Sequence, residues 1–512
     1  MKRLLMLLLC APYASSFAQE KGIFTQWTGI GKPALQGSFQ YAGQQQTYTL
    51  SGSGYNIWFN RDEFQFLHTR LGGDFILTAN FTFTSPGGDP HKKTGWMIRE
   101  SLDDNAVHAS ATRHADGLTA LQWRLLRGAY MRDPEDEIIS PKKHTQVLQL
   151  ERKGKTIIMR VANPGEPLQA VGMQEMKGLP DSVYAGLFVC AHDPEKLETV
   201  RVWNVRIDKT VPDTWHPNPV VLKTMQTQDP SLPSRMEIVD ISSLERKVIY
   251  ESKDHFEAPN WMPDGKSLLF NQGGKLYTLP VAGGSPVYFP TGDLVRNNND
   301  HGISFDGKML AISSHRDGMP GWGSTVYVMP LAGGTPKLVT PETPSYWHGW
   351  SPDGKSIVHV GQRKGNSAYN LYRVDIATGK ETPLTQNSSG HVDGCEYSPD
   401  GKFIYYNANP TGTMQLWRMK SDGSGQEQVT FDEYHNWFPH FSPDGKWIAF
   451  ISFPTDIDPN SHPPNKPVML RVMPASGGAP KVIAHLYGGQ GTINVNSWSP
   501  DSKRLAFVSY TK

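Results

Sequence analysis

Between residues 74 and 208 apolar and polar side chains alternate in short runs. In DFILTANFTFT (residues 74–84), Phe75, Leu77, Ala79, Phe81 and Phe83 fall on one face, the period of two of a half-buried strand. GWMIRES, LTALQWRLL, TIIMRVAN, YAGLFVCAHD and TVRVWNVRID continue the pattern between Gly, Pro, Asp and Asn turns. No comparable helical periodicity interrupts them. The series predicts a two-sheet, jelly-roll-like antiparallel β-sandwich over residues 24–210.

A different regime follows. KTVPDTWHPNPVVLKTMQTQDPSLPSR (residues 209–235) is rich in proline and short polar residues and reads as a linker, placed at 211–234. Beyond it one motif recurs: WMPDGKSLLF, ISFDGKMLAI, WSPDGKSIVH, YSPDGKFIYY, FSPDGKWIAF and WSPDSKRLAF, with aspartates at 264, 306, 353, 400, 444 and 501. The last interval is long because FPTDIDPNSHPPNKP (residues 453–467) reads as a polar loop insertion. Proline presets φ in the turn, Asp bonds its own backbone, and Gly supplies φ > 0. Strand–turn–strand segments such as LYTLPVAGGSP lie between these motifs. Each repeat is therefore a four-stranded unit, and six of them predict a six-bladed β-propeller over residues 235–512. The chain leaves its last blade two strands short. RMEIVDISSLERKVIYES (residues 235–252) supplies the missing pair, closing the ring without an exposed edge.

Composition agrees with this all-β reading: 49 glycines, 39 prolines and 11% aromatics. Formal net charge is only +1, so neither nucleic acid nor an anionic membrane is implied as a partner. Lys2 and Arg3, the apolar run 4–9, and Ser16-Phe17-Ala18 form a cleavable export leader, residues 1–18. That run is far shorter than the ~20 residues a spanning helix needs, and the expected location is periplasmic or secreted. Cys190 and Cys395 fall in different domains and predict no disulfide.

Two resemblances rest on these stretches. GDFILTANFTF, TGWMIRES and GLFVCAHD followed by VRVWNVRI resemble concanavalin A-like (laminin G-like) domains, many of which bind sugars. The SPDG repeats of residues 235–512 are similar to the TolB-like propeller family. TolB is a periplasmic component of the Tol–Pal envelope system. The front domain here differs from the α/β domain through which TolB engages partners, so that role does not carry over.

Candidate chemistry comes from counting back from each turn aspartate. Nine positions back stand His255, His391 and His435; five back stand His301 and His348; His440 is four back. Glu257, Asp300, Asp393 and Glu396 accompany them. All fall toward one mouth of the channel. Such a ring can hold a divalent metal, with His391, His435 and His440 as candidate ligands, or an acidic sugar, or provide a general base. Alternatively, each histidine bonds a backbone group at its strand entry. Trp437, Trp347 and Tyr346 in the same zone either stack on sugar rings or pack between blades. In the front domain His108, Arg113, His114, Gln122, Trp123 and Arg124 would form a polar sheet surface.

Two functional classes emerge. The first is an exported, non-catalytic protein binding a carbohydrate or an envelope partner. The second is a carbohydrate-active enzyme, a polysaccharide lyase or glycoside hydrolase, using a histidine-lined channel. His435 and His440 before FSPDGK resemble the arrangement in oligogalacturonate lyases, which implies a metal in the channel.

Overall fold

The computed structural model describes residues 20–510 except 44–45, 167, 209–231, 320–322, 367 and 387–389. The expected leader and most of the expected linker lie outside the described residues. Among those described, no helix is long and apolar enough to cross a membrane, and the elements are strands.

The N-terminal strands form two seven-stranded antiparallel sheets. One runs Gln26–Ile30, Phe64–Gly72, Ser182–Cys190, Lys93–Arg99, His108–His114, Thr119–Arg124, Glu137–Ile139; the other runs Gln169–Glu175, Thr156–Ala162, Val147–Lys153, Phe75–Phe83, Asp193–Asp208, Thr47–Gly54, Ser38–Ala42. One core lies between them. Phe75, Leu77, Ala79 and Phe81 from the second sheet join Leu67, Trp96, Ala111, Leu121 and Leu187 from the first, as the alternation requires. The two cysteines are free and buried.

Five four-stranded antiparallel sheets follow, spanning residues 256–289, 297–338, 345–383, 392–428 and 435–488, here called blades 1 to 5. In each SPDG-type turn the Asp carboxylate accepts the N–H two residues on, as in Lys308 to Asp306 at 3.1 Å. From blade 2 onward a preceding serine also donates to it, as in Ser304 at 2.6 Å. The Gly positions sit at φ near +70°, as at Gly307 and Gly354.

Blade 6 is built from both ends of the propeller. Ser234–Asp240 pairs with Arg246–Ser252 on one side and Arg504–Tyr510 on the other. This sheet has three strands where four were expected. Residues 489–499, which precede the last turn, are irregular and tied on by Val508 N–H to Thr492 O (3.1 Å) and Ala506 N–H to Ser497 O (2.9 Å).

Blades 5 and 6 face the N-terminal domain. Glu237 of the closing strand is fully buried and accepts from Arg206 of the N-terminal domain, from Arg246 at 2.9 and 3.2 Å, and from Ser509. Asn204 donates to Leu244 O and accepts from Arg246 N–H, both at 3.2 Å. On blade 5, Val482 N–H reaches Gly165 O at 3.3 Å.

Candidate functional site

The innermost strands of blades 1 to 5 share one irregularity. Their registers shift between Glu257 and Asn260, Asn297 and His301, Trp347 and Gly349, Asp393 and Glu396, and Trp437 and His440. A bulge re-aims the side chains on either side of it. At the bulges Ala258, Gly394 and Phe438 have φ of 57°, 59° and 57°. A Cβ on Gly394 would stand 2.5 Å from Asn407 Oδ1 and 2.9 Å from the Phe438 ring, so only glycine fits. Residues before the bulge and after it therefore line two levels of the channel.

Asp393 organises the outer level. Its Oδ1 accepts from His348 Nε2 at 2.9 Å and from Gly394 N–H at 2.8 Å. Its Oδ2 lies 3.4 Å from His391 Nε2 and 3.5 Å from His462 Nε2. Burial opposes ionisation of Asp393. The hydrogen bond and charge of His348, with the bonds from His391 and His462, outweigh burial and hold its carboxyl well below the usual range. Burial likewise disfavours charge on His348, but Asp393 first, then Asp300 and Glu396, raise it above an ordinary imidazole. Asp300, buried beside this pair, is pushed up to about 7, chiefly by burial and also by the charge of Asp393. The imidazoles are walled by aromatics: Trp437 lies 5.4 Å from His391 and 4.4 Å from His462, and Phe438 stacks on His348 at 6.2 Å.

The inner level is a closed network. His440 bonds Glu396 Oε2 through Nδ1 and Ile493 O through Nε2, both at 2.7 Å. A carbonyl only accepts, so Nε2 carries a proton and neither nitrogen is open to a further ligand. Glu396 Oε1 also accepts from Phe441 N–H and from Asn496, each at 2.9 Å. This level stitches blades 4 and 5 to the irregular residues 489–499.

The remaining predicted residues distribute unevenly. His435 is buried and its Nδ1 faces Met414 N–H at 3.3 Å; burial lowers its pKa. His301 is fully buried and His255 stacks on Tyr510 at 5.2 Å; burial pulls both down to about 4. Trp437 and Trp347 are buried too, the latter against Gly302 of the neighbouring blade, so both form walls between blades. The polar surface expected in the front domain is absent as a surface. His108, His114, Gln122, Trp123 and Arg124 are buried, and Arg113 donates inward to Phe81 O. Their sheet is covered on both faces: Arg124 grips Asp62 at 2.8 and 2.9 Å, and Arg99 approaches it at 3.4 Å.

Comparison with known proteins bears on the propeller. The model of the TolB beta propeller domain matches residues 344–458. A protein of Agrobacterium fabrum is 46% identical over 281 residues, covering 55% of this chain and 93% of that protein. The solved structure of a putative TolB from Agrobacterium tumefaciens aligns with TM-score 0.52 at 45% identity, covering 55% of this chain and 99% of its own. This chain belongs to the TolB-like β-propeller family. A Tol-Pal system protein TolB from Anaeromyxobacter dehalogenans is 32% identical over 83 residues, 16% of this chain and 18% of that one.

Among the described residues of this TolB-like propeller, the group that can hold a cation is His391, Asp393 and His462, whose ligand atoms all lie within 4.8 Å of one another. The expected set was His391, His435 and His440. Only His391 is common to both, because His440 is spent on Glu396 and His435 faces a backbone amide. His462 lay outside the counting frame, in the insertion between Trp447–Phe453 and Lys466–Pro474 of blade 5. Its one signal was being the sole histidine in that polar loop. With bonds of ~2.1 Å, neighbouring donors of a tetrahedral site stand ~3.4 Å apart. The 3.4 and 3.5 Å separations match that edge and are long for hydrogen bonds. The second carboxylate oxygen, fixed by His348, is the outer support such ligands need.

Proposed function

We propose that this protein is an exported, non-catalytic binding protein whose propeller takes a divalent cation at one channel mouth and, through it, a carbohydrate or an envelope partner. The observation that carries this reading is the trio His391, Asp393 and His462, with Asp393 held from behind by His348. Two imidazoles and one carboxylate suit Zn²⁺ or Mn²⁺, and three protein ligands leave positions for oxygens of a bound molecule. Kinship with periplasmic TolB proteins supports a periplasmic location. In this proposal the two N-terminal sheets form a concanavalin A-like domain that presents the propeller. Catalysis is the second reading, favoured by Asp300, a carboxyl poised near 7 next to His348, which could exchange a proton with a bound sugar.

The test is elemental analysis of the purified full chain, followed by titration with Zn²⁺ and Mn²⁺. One ion per chain is expected in the wild type, and none in His391→Ala/His462→Ala at unchanged melting temperature. A wild type that takes up neither ion removes the reading.

A further inference from the structure

We infer that the cleft between the N-terminal domain and blade 5 is a second binding site, for a neutral saccharide of one or two rings. The cleft encloses about 420 Å³, within the ~300–1,000 Å³ of small-ligand pockets, which favour domain interfaces. Gln149, Glu151 and Asp208 line it from the N-terminal sheet, and Tyr434, Ile457 and Tyr487 from blade 5.

Its polar wall is set in advance. Gln149 donates to Thr78 Oγ1 at 3.1 Å and accepts from Arg160 at 3.1 Å, and Arg160 pairs with Glu151 Oε2 at 2.6 Å. Asp208 also lines the cleft and is only 7% exposed; burial raises its carboxyl while the charges of Arg235, Arg206 and Arg246 pull the other way, and its oxygens offer acceptors to a ligand hydroxyl.

The charges select the ligand class. The carboxylates of Asp74, Glu151, Asp208 and Asp456 on the walls are nearly balanced by Lys153, Arg160 and Lys466 on the same walls, so the cleft favours neither a cationic nor an anionic guest. What remains is a neutral molecule rich in hydroxyls, whose donors meet Asp208 and Glu151 and whose apolar ring faces lie on Tyr434 and Tyr487.

This inference does not rest on the metal at the channel mouth. Isothermal titration of the full chain with cellobiose, maltose, lactose and N,N′-diacetylchitobiose tests it. At least one should bind at one site per chain. Asp208→Leu and Tyr487→Ala should each weaken it about tenfold or more, while His391→Ala/His462→Ala leaves it unchanged. Because Asp208 sits in the field of three arginines, Asp208→Asn, which keeps its shape, is measured beside Asp208→Leu, and each variant is first checked for a wild-type near-ultraviolet circular dichroism spectrum. The inference is overturned if none of the four binds, if binding survives Asp208→Leu and Tyr487→Ala, or if it is lost only in the histidine variant.

Discussion

Glu237 joins the closing strand to the N-terminal domain, and Glu237→Gln isolates its charge. Burial opposes ionisation of Glu237, but Arg206 and Arg246, with Ser509, bring its pKa down to about 2 from an ordinary 4.5. That difference corresponds to about 3 kcal/mol favouring the folded state at neutral pH. The sign follows from a depressed carboxylate: the contribution is complete above pH ~4.5 and disappears as pH falls toward 2. Arg206 offsets much of it, since burial and Arg246 push its own pKa down to about 10. The favourable and unfavourable contributions within the intact cluster therefore nearly cancel, whereas removing the one carboxylate that both arginines bond leaves them buried and facing each other, a loss of about 3 kcal/mol or more. At about 2–4 °C per kcal/mol for domains of ~150–250 residues, the melting temperature should drop by about 6 °C or more at pH 7. Urea unfolding of wild type and variant, compared at pH 7 and pH 3, reads the effect directly. The stability gap should narrow at pH 3, and Arg206→Met/Glu237→Leu/Arg246→Met should recover most of the loss at pH 7. A gap below about 1 kcal/mol at pH 7, or one insensitive to acid, would refute this reasoning.

Two further outcomes separate the levels of the channel. His440→Ala should cost about 1–3 kcal/mol in thermal unfolding by orphaning Glu396 Oε2 and Ile493 O, yet leave the metal content at its wild-type value. Gly394→Ala should cost at least about 1–2 kcal/mol from its φ alone, and should also weaken Mn²⁺ binding in titration, because the shift needed to clear Asn407 and Phe438 moves Asp393.

Spacing alone carried the propeller, since a turn needing Pro, Asp and Gly at fixed offsets writes its geometry into residue identity. The ring closure was legible for the same reason: the strand count left one pair to place, and Ser234–Asp240 does pair with Arg504–Tyr510. The offsets brought His348, His391 and Asp393 to one mouth. Which way each ring points was not legible, because the shared bulge falls between the counted positions and breaks the alternation. It sends His440 inward to Glu396, and His435 is held at a backbone amide. His462 escaped because an insertion has no repeat phase to count from. In the front domain, polar residues on Thr119–Arg124 looked like a solvated face. Only the covering hairpin, in which Arg61–Asp62 pairs with Ile57–Trp58, reveals them as a buried charge cluster.

The seam at Glu237 also dictates an order of events during folding. Glu237 and Ser509 touch across 272 positions of sequence, so one half of the seam is synthesised long before the other. Until Arg504–Tyr510 emerges, Ser234–Asp240 has an unpaired edge, and the five preceding blades form an open arc. Contacts of such sequence separation form slowly, and waiting edges invite pairing with other chains. The N-terminal domain, whose Arg206 already bonds Glu237 in the finished molecule, is complete by then and can shield that edge while the rest of the ring is made. A covalently joined front domain is thus in place to cover the strand on which closure depends before that strand's partner has been made.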